Sequence, residues 1–314
     1  MTRERVQMKQ KLAIAAIFLF AVIGYAQSIQ RRASHPSIKV ALDVVLVPVT
    51  VTDNQNRPVE GLHAENFQIW DDKVEQKIQY FSSEDTPVSL GLVFDTSGSM
   101  SSTLNAARSA ASTFLKTGNP EDEYFLVEFN DRPQIAQNFT TDVGRLQRDL
   151  ISREAQGYTA FLDAVYLALQ NVRLGSYPRK ALLMITDGED NHSRYTLDDV
   201  KEMLKESDVQ LYAIGPVYAP NVKRRVPGRV LLEELAEVTG GRAVFPNSIG
   251  DLEGICAQIS LELKSQYVLG YVPSNTTADG KWRKLRVKVS PPAGMLHFQV
   301  RARAGYYATQ TADN

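Results

Sequence analysis

The sequence has few of the residues that carry covalent, metal or acid-base chemistry in many proteins: of its 314 residues, one is cysteine and four are histidine. The single cysteine, Cys256, excludes an intrachain disulfide framework, and the scattered histidines offer no convincing general base. There is also no excess of positive charge, since 35 lysines and arginines face 36 aspartates and glutamates. Composition therefore gives no sign of a nucleic-acid-binding protein.

Residues 1–26 have the pattern of an export signal. Four basic residues precede an apolar run over residues 12–23, and Gly24-Tyr25-Ala26 places small residues where a signal peptidase cleaves. The alternative is an uncleaved N-terminal anchor, although the run is shorter than a typical membrane-spanning helix. No cysteine directly follows the cleavage point, so a lipoprotein anchor is not supported. We expect an exported protein that is periplasmic, displayed at the cell surface or secreted.

Residues 88–100, VSLGLVFDTSGSM, combine an apolar run with a polar turn. The apolar half predicts a strand buried on both faces of a sheet. Ligands bind at the carboxyl ends of strands in open α/β sheets, which is where Asp95, Ser97 and Ser99 lie. Gly98 removes the side chain that would block this tight turn. The turn is therefore a one-sided oxygen cluster, of the kind that Mg2+ and Ca2+ prefer.

Two later segments offer further oxygens for this cluster. Residues 181–190, ALLMITDGED, predict a second buried strand that ends at Asp187, and residues 157–164, GYTAFLDA, open a helix with Thr159 near its N-terminus. Each segment alone has an ordinary interpretation, as a helix cap or a turn pair. Their joint occurrence favours a metal site.

D-x-S-G-S, a downstream G-x-T before a helix, and T-D-G after an apolar strand together resemble the von Willebrand factor type A domain and its metal-ion-dependent adhesion site. The resemblance implies a doubly wound, mostly parallel, Rossmann-like α/β sheet. It also implies that a divalent ion, Mg2+ or else Mn2+ or Ca2+, is held by five residues: Asp95, Ser97, Ser99, Thr159 and Asp187. An Asp or Glu carboxylate from a partner protein would complete the coordination.

The pattern along the chain predicts one domain inserted into another. Alternating strands and helices over residues 86–265 predict the type A domain. Period-two alternation over residues 38–85 and 266–308 predicts two β segments, each too short to bury a core alone. We therefore expect them to pair into one β-sandwich-like module. Residues 27–37 are assigned to a flexible N-terminus and residues 309–314 to a tail.

Several finer expectations follow from the same pattern. Residues 76–81 are predicted to form one strand, and residues 216–228 an exposed basic loop. Leu261 and Leu263 are expected to hold the last helix of the type A domain against its core. Asp53, Asp71 and Asp72 are interpreted as turn-forming acids, with Ca2+ binding as the alternative. The whole order, which closes with R-x-G-Y-Y, resembles an exported acidobacterial family of von Willebrand type A-related proteins.

Three classes of function are consistent with the sequence. The first two are an adhesion module and an assembly factor, which use the same metal to bind a partner protein. The third is a metal-dependent hydrolase of phosphoester type with Asp95 as nucleophile. Against it, Ser97 occupies the position where haloacid-dehalogenase-like phosphatases need an acid, and Ser99 lacks a nucleophile elbow. We therefore expect no catalysis, a protein partner, no nucleic acid, and membrane contact only through an uncleaved N-terminal segment.

Overall fold

The computed structural model describes residues 44–217, 227–290 and 298–308. The expected export signal, most of the predicted basic loop and the tail lie outside these residues. None of the helices within the described ranges combines the length and apolar character needed to cross a membrane.

The described residues form fourteen strands and six α-helices. The strands are β1 (Val45–Asp53), β2 (Phe67–Asp71), β3 (Val74–Gln76), β4 (Tyr80–Ser82), β5 (Val88–Asp95), β6 (Glu123–Phe129), β7 (Pro133–Thr140), β8 (Arg179–Ile185), β9 (Val209–Ile214), β10 (Arg242–Val244), β11 (Tyr267–Tyr271), β12 (Trp282–Val289), β13 (Phe298–Ala302) and β14 (Gly305–Tyr307). The helices are α1 (Leu104–Thr117), α2 (Val143–Ile151), α3 (Phe161–Val172), α4 (Leu197–Lys205), α5 (Pro227–Thr239) and α6 (Leu252–Lys264).

A six-stranded sheet forms the centre of the α/β part, in the order β10-β9-β8-β5-β6-β7. β5 lies inside the sheet with all eight residues buried, and it pairs in parallel with β6 and β8. Only β7 runs antiparallel to its neighbour, as the hairpin partner of β6. Side chains from α1, α2 and α6 cover one face, and those from α3, α4 and α5 cover the other. The predicted doubly wound, mostly parallel α/β fold is confirmed.

Strands from before and after this domain pair with one another in two antiparallel sheets. One sheet has the order β13-β1-β11-β4 and the other β14-β12-β2-β3. Val47 lies opposite Leu269 in the first, and Ile69 lies opposite Val287 in the second. The inner faces of both sheets share one apolar core. The predicted sandwich made from both β segments is therefore confirmed, and we call it the β-sandwich.

The prediction of one strand over residues 76–81 is wrong. The chain forms β3 and then β4, which belong to different sheets of the β-sandwich. Ile78, between them, packs against the shared core as the chain crosses from one sheet to the other. The alternating pattern continues through this crossing because an inward apolar side chain is needed there as well.

Two other expectations are corrected at helices. Leu261 is 50% exposed and does not hold α6 to the core, whereas Leu263 is buried. Residues two apart on a helix point about 200° apart, so both side chains cannot face the same core. The predicted loop over residues 216–228 also ends earlier, because α5 already begins at Pro227, a residue that suits the first turn of a helix.

The remaining acidic and sulfur-bearing candidates have structural roles. Asp53 accepts hydrogen bonds from Gln55 N and Arg57 N, as a turn-forming residue does. Asp71 accepts bonds from the hydroxyls of two tyrosines, and Asp72 accepts one from Lys284 N. Cys256 is buried in α6, and burial raises the pKa of its thiol to about 12.

A buried polar seam joins the α/β domain to the β-sandwich. Glu262 on α6 is completely buried, with Arg242 Nη2 of β10 at 2.5 Å and Arg301 Nη2 of β13 at 2.7 Å. Two residues after the helix ends, the side-chain amide of Gln266 donates to Gln210 in β9 and to Thr50 in β1. Both parts of the molecule therefore contribute to each of these two buried hydrogen-bonded groups.

Candidate functional site

Asp95 is the last residue of β5, and its carboxylate is completely buried. Its Oδ1 accepts a hydrogen bond from Ser97 N at 2.8 Å, and its Oδ2 accepts one from the Thr186 hydroxyl at 2.6 Å. Burial raises the pKa of Asp95 to about 6, although these hydrogen bonds act to lower it. The negative charge of Asp187 also acts to raise this pKa. The ionised carboxylate is therefore costly unless a cation stabilises it.

The two serines of the turn after β5 face each other. Ser97 precedes a short 3-10 helix over Gly98–Ser102, and its Oγ lies 3.0 Å from Ser99 Oγ. Ser97 is buried and Ser99 is exposed, so the pair runs from the buried carboxylate to the surface. The predicted oxygen cluster of Asp95, Ser97 and Ser99 is brought together by this one turn.

The loop that carries Thr159 is bonded to this turn. Gly98 N donates to Gly157 O at 3.0 Å, and Gln156 N donates to Thr96 O at 2.9 Å. Thr159 is buried just before α3 begins at Phe161. The backbone thus places Thr159 beside the turn that contains Ser97, as the sequence motifs predict.

Gly157 has a conformation that an L residue rarely adopts, with φ at +79°. A Cβ at this position would lie 2.7 Å from Asp131 Oδ2. The Asp131 carboxylate fixes this part of the loop by accepting a hydrogen bond from Tyr158 N at 2.6 Å. Glycine is therefore required here both by the backbone angle and by the close approach of Asp131.

Asp187 lies half-buried in the turn after β8. Gly188, at φ +78°, donates its N–H to Thr186 Oγ1, so the same threonine hydroxyl bonds to this turn and to Asp95. Asn191 Oδ1 accepts a hydrogen bond from Thr159 N at 2.9 Å. The third loop is therefore connected to both of the others at the carboxyl edge of the sheet.

Glu189 and Asp190, which follow Asp187 and Gly188 in the turn after β8, are both exposed. Asp190 has a further role, because its Oδ1 accepts hydrogen bonds from Phe161 N at 3.0 Å and from the Ser193 hydroxyl at 2.6 Å. It thus satisfies a free N–H in the first turn of α3.

Neither Asp95 nor Asp187 has a basic partner within the part of the chain that the structure describes. Two basic residues of the adjoining loops pair elsewhere, Arg153 with Glu128 and Arg194 with Asp163, each at 3.2 Å. The described residues contain no group of three or more His, Cys, Asp or Glu side chains suited to a metal, so hydroxyls have to complete any coordination shell. Two uncompensated carboxylates with Ser and Thr hydroxyls are a donor set that fits a hard divalent cation.

Two residues that shape this site carry no role in the sequence prediction. Thr186 lies inside the T-D-G motif, but its bond to Asp95 depends on the pairing of β8 with β5. Asp131 lies in the β6–β7 hairpin turn, and no local pattern marks it as a support for Gly157 and Tyr158.

Residues 90–189 match the family model of the von Willebrand factor type A domain. No curated protein matches the chain. The structure of BatB from Bacteroides thetaiotaomicron is similar at 20% identity and a TM-score of 0.46, over 57% of this chain and 100% of that one. A von Willebrand factor type A protein from Catenulispora acidiphila is similar at 12% identity and a TM-score of 0.49, over 85% of this chain and 73% of that one. The von Willebrand domain of the pilus-tip protein Mfa5 from Porphyromonas gingivalis has 13% identity and a TM-score of 0.47, over 57% of this chain and 97% of that one.

Proposed function

Because this chain carries a von Willebrand factor type A domain, we propose that it is an exported protein-binding module that captures a partner's carboxylate through a bound divalent cation. The ion is Mg2+, or Mn2+ or Ca2+ in the same set of oxygens. Ser97 and Ser99 coordinate it directly, and Thr159, Asp95 and Asp187 do so directly or through water. The partner's Asp or Glu takes the remaining position.

The observation that carries this proposal is that the carboxylates of Asp95 and Asp187 are not neutralised by a basic side chain among the described residues. Asp95 is completely buried beside Asp187, and neither has a basic partner among the described residues. A divalent cation would offset the burial of Asp95 and favour its ionised form. Hydroxyl ligands leave more of the cation's charge uncompensated than carboxylates do, so the ion keeps its attraction for an incoming carboxylate.

Metal titration tests the assignment of the ligands. Mg2+ that binds the folded state raises the free energy of unfolding, by about 2.7 kcal/mol when its concentration is a hundred times the Kd. We expect Asp95→Ala and Ser97→Ala to abolish this stabilisation while circular dichroism stays largely unchanged. Ser101→Ala, at an exposed serine of the same segment, is the matched control. Undiminished Mg2+ binding by the double variant in calorimetry would contradict the site.

The partner is a dedicated subunit in an assembly role or a surface protein in an adhesion role. A pull-down from the exported fraction with and without EDTA identifies it, and free carboxylate peptides should compete for binding. We expect no turnover of phosphoester substrates. Metal-dependent turnover that is lost in Asp95→Ala would favour the hydrolase instead.

A further inference from the structure

Two aromatic side chains form an exposed surface beside the proposed metal site. The rings of Tyr158 and His192 stack with their centroids 5.2 Å apart and their planes 14° apart. Tyr158 is 62% exposed although it directly precedes the buried Thr159. We call this pair the aromatic platform. It is not needed to fill a core, so its packing leaves ring surface free for a ligand.

The aromatic platform is attached to the backbone that carries Thr159. Tyr158 N donates to the Asp131 carboxylate, and His192 N donates to Thr159 O at 3.2 Å. The backbone that carries both rings is therefore fixed before any partner arrives. Rigid tyrosines of this kind provide large contact areas at a low cost in conformational entropy, and they are enriched among the residues that dominate binding.

The loops around the aromatic platform carry an excess of negative charge. They comprise residues 130–132, 156–159 and 187–194, and Arg194 within them already pairs with Asp163. Apart from Asp187 in the proposed site, the charged residues left are Asp131, Glu189, Asp190 and Arg132. None of the three acids forms an ion pair with another described residue. A second acidic side chain from the partner would be repelled here, and a basic one attracted.

We propose that the aromatic platform binds an arginine or lysine that lies next to the metal-binding carboxylate of the partner. The planar guanidinium of arginine suits this position best, since it stacks on an aromatic face while its N–H groups reach a carboxylate such as Asp131. This inference rests on the proposed function, because it assumes that the partner's carboxylate is held at the metal. It adds a requirement on the neighbouring residue of the partner.

A displayed peptide library with a fixed central Asp and random flanking positions tests the requirement. We expect peptides recovered in Mg2+ to be enriched in Arg or Lys at one or two positions beside the Asp, and EDTA to abolish recovery. Tyr158→Ala should remove the enrichment, and Tyr158→Phe should keep it because the ring is retained. Tyr80→Ala, at a tyrosine that is 49% exposed on the β-sandwich, is the matched control and should select like the wild type.

The selected peptides are then synthesised with arginine or with uncharged citrulline. The arginine peptide should bind the wild type about 3- to 10-fold more tightly, and Tyr158→Ala should reduce this ratio to about one. Mg2+ affinity and the melting temperature should be the same in both proteins. Metal-dependent recovery with no basic preference, a preference for apolar flanks, or loss of Mg2+ affinity in Tyr158→Ala would overturn the inference. Recovery that is equal in Mg2+ and EDTA would instead contradict the proposed function.

Discussion

Glu262 Oε2 lies 2.7 Å from Arg301 Nη2, and the glutamate is completely buried. The pair joins α6 of the α/β domain to β13, an edge strand of the β-sandwich, and Arg242 approaches the same carboxylate from the central sheet. Burying three charged groups is costly, and the cost is offset only while all of them keep their partners. The two parts of the chain therefore depend on each other at this point.

Glu262→Gln should destabilise the whole described fold. It leaves Arg242 and Arg301 without their shared counter-charge, and removing one partner of a buried pair costs about 3–5 kcal/mol. Urea denaturation measures the loss. Glu237→Gln, at an exposed glutamate of α5, should change the free energy of unfolding by less than about 0.5 kcal/mol. If Glu262→Gln lowered the free energy of unfolding by less than about 1 kcal/mol, the buried ion pairs of Glu262 would contribute little to stability.

Gly157→Ala should weaken both the fold and Mg2+ binding. Its positive φ costs an alanine about 1–2 kcal/mol, and the added methyl group would press on the Asp131 carboxylate. The resulting shift displaces Thr159 from the proposed ion. Gly254→Ala in α6 makes the same chemical change with nothing within 4 Å of the new Cβ, and it should be neutral or stabilising. Equal Mg2+ affinity for both variants would show that the conformation of Gly157 does not affect metal binding.

Asp163 should contribute stability at neutral pH that is lost in acid. Burial opposes its ionisation, but hydrogen bonds from Arg194 N and Tyr195 N and the Arg194 guanidinium outweigh burial and hold the pKa of Asp163 below its usual value of 3.8. A lowered folded-state pKa means that this stability is complete above the unfolded-state pKa and falls as the pH drops through the folded-state pKa.

Urea midpoints from pH 7 to pH 3 measure this contribution. Asp163→Asn should be less stable than the wild type by about 1–3 kcal/mol at neutral pH, and the difference should narrow below about pH 4. Asp198→Asn, at an exposed aspartate of α4, should show no such convergence. A constant difference between Asp163→Asn and the wild type at all pH values would mean that ionisation of Asp163 does not matter.

Deleting residues 38–83 should expose the C-terminal strands of the β-sandwich. β11 and β13 pair with β1, and β12 pairs with β2, so the deletion removes a partner from each. Hydrogen exchange should report lost protection for their amides, with β5 and β8 as internal controls that remain protected by each other. Unchanged protection of β11 to β13 would mean that the C-terminal segment folds alone.

The sequence predicts those features whose cause is local. Asp95, Ser97 and Ser99 lie within five residues, so one turn brings them together whatever surrounds it. The strand and helix periods likewise locate the elements of the central sheet, because each pattern reports which side of its own element is buried. The oxygen cluster at the end of β5 is therefore the part of the site that depends least on tertiary structure.

Other features depend on which segments meet. The seam of Glu262, Arg242 and Arg301 joins three elements, and none of the three residues stands in a recognisable local pattern. The alternation over residues 76–81 does not reveal the change of sheet for a related reason, since alternation reports an inward side chain but not which of two facing sheets holds the backbone. Helical periodicity alone, by contrast, places Leu261 and Leu263 on different faces of α6.

The β-sandwich also determines the order in which the parts of the protein can be completed during synthesis. Leu62 and Tyr267, which bond to each other within its core, are 205 residues apart in the chain. At about 5–20 residues per second, a ribosome needs on the order of 10–40 seconds to make the segment between them. Throughout this interval β1 lacks both of the strands that it pairs with and β2 lacks β12, so backbone edges of both strands are open to other chains. All strands of the α/β domain are made before β11 to β13, so the β-sandwich is completed last, and the interval before completion is when the protein is most exposed to aggregation and proteolysis.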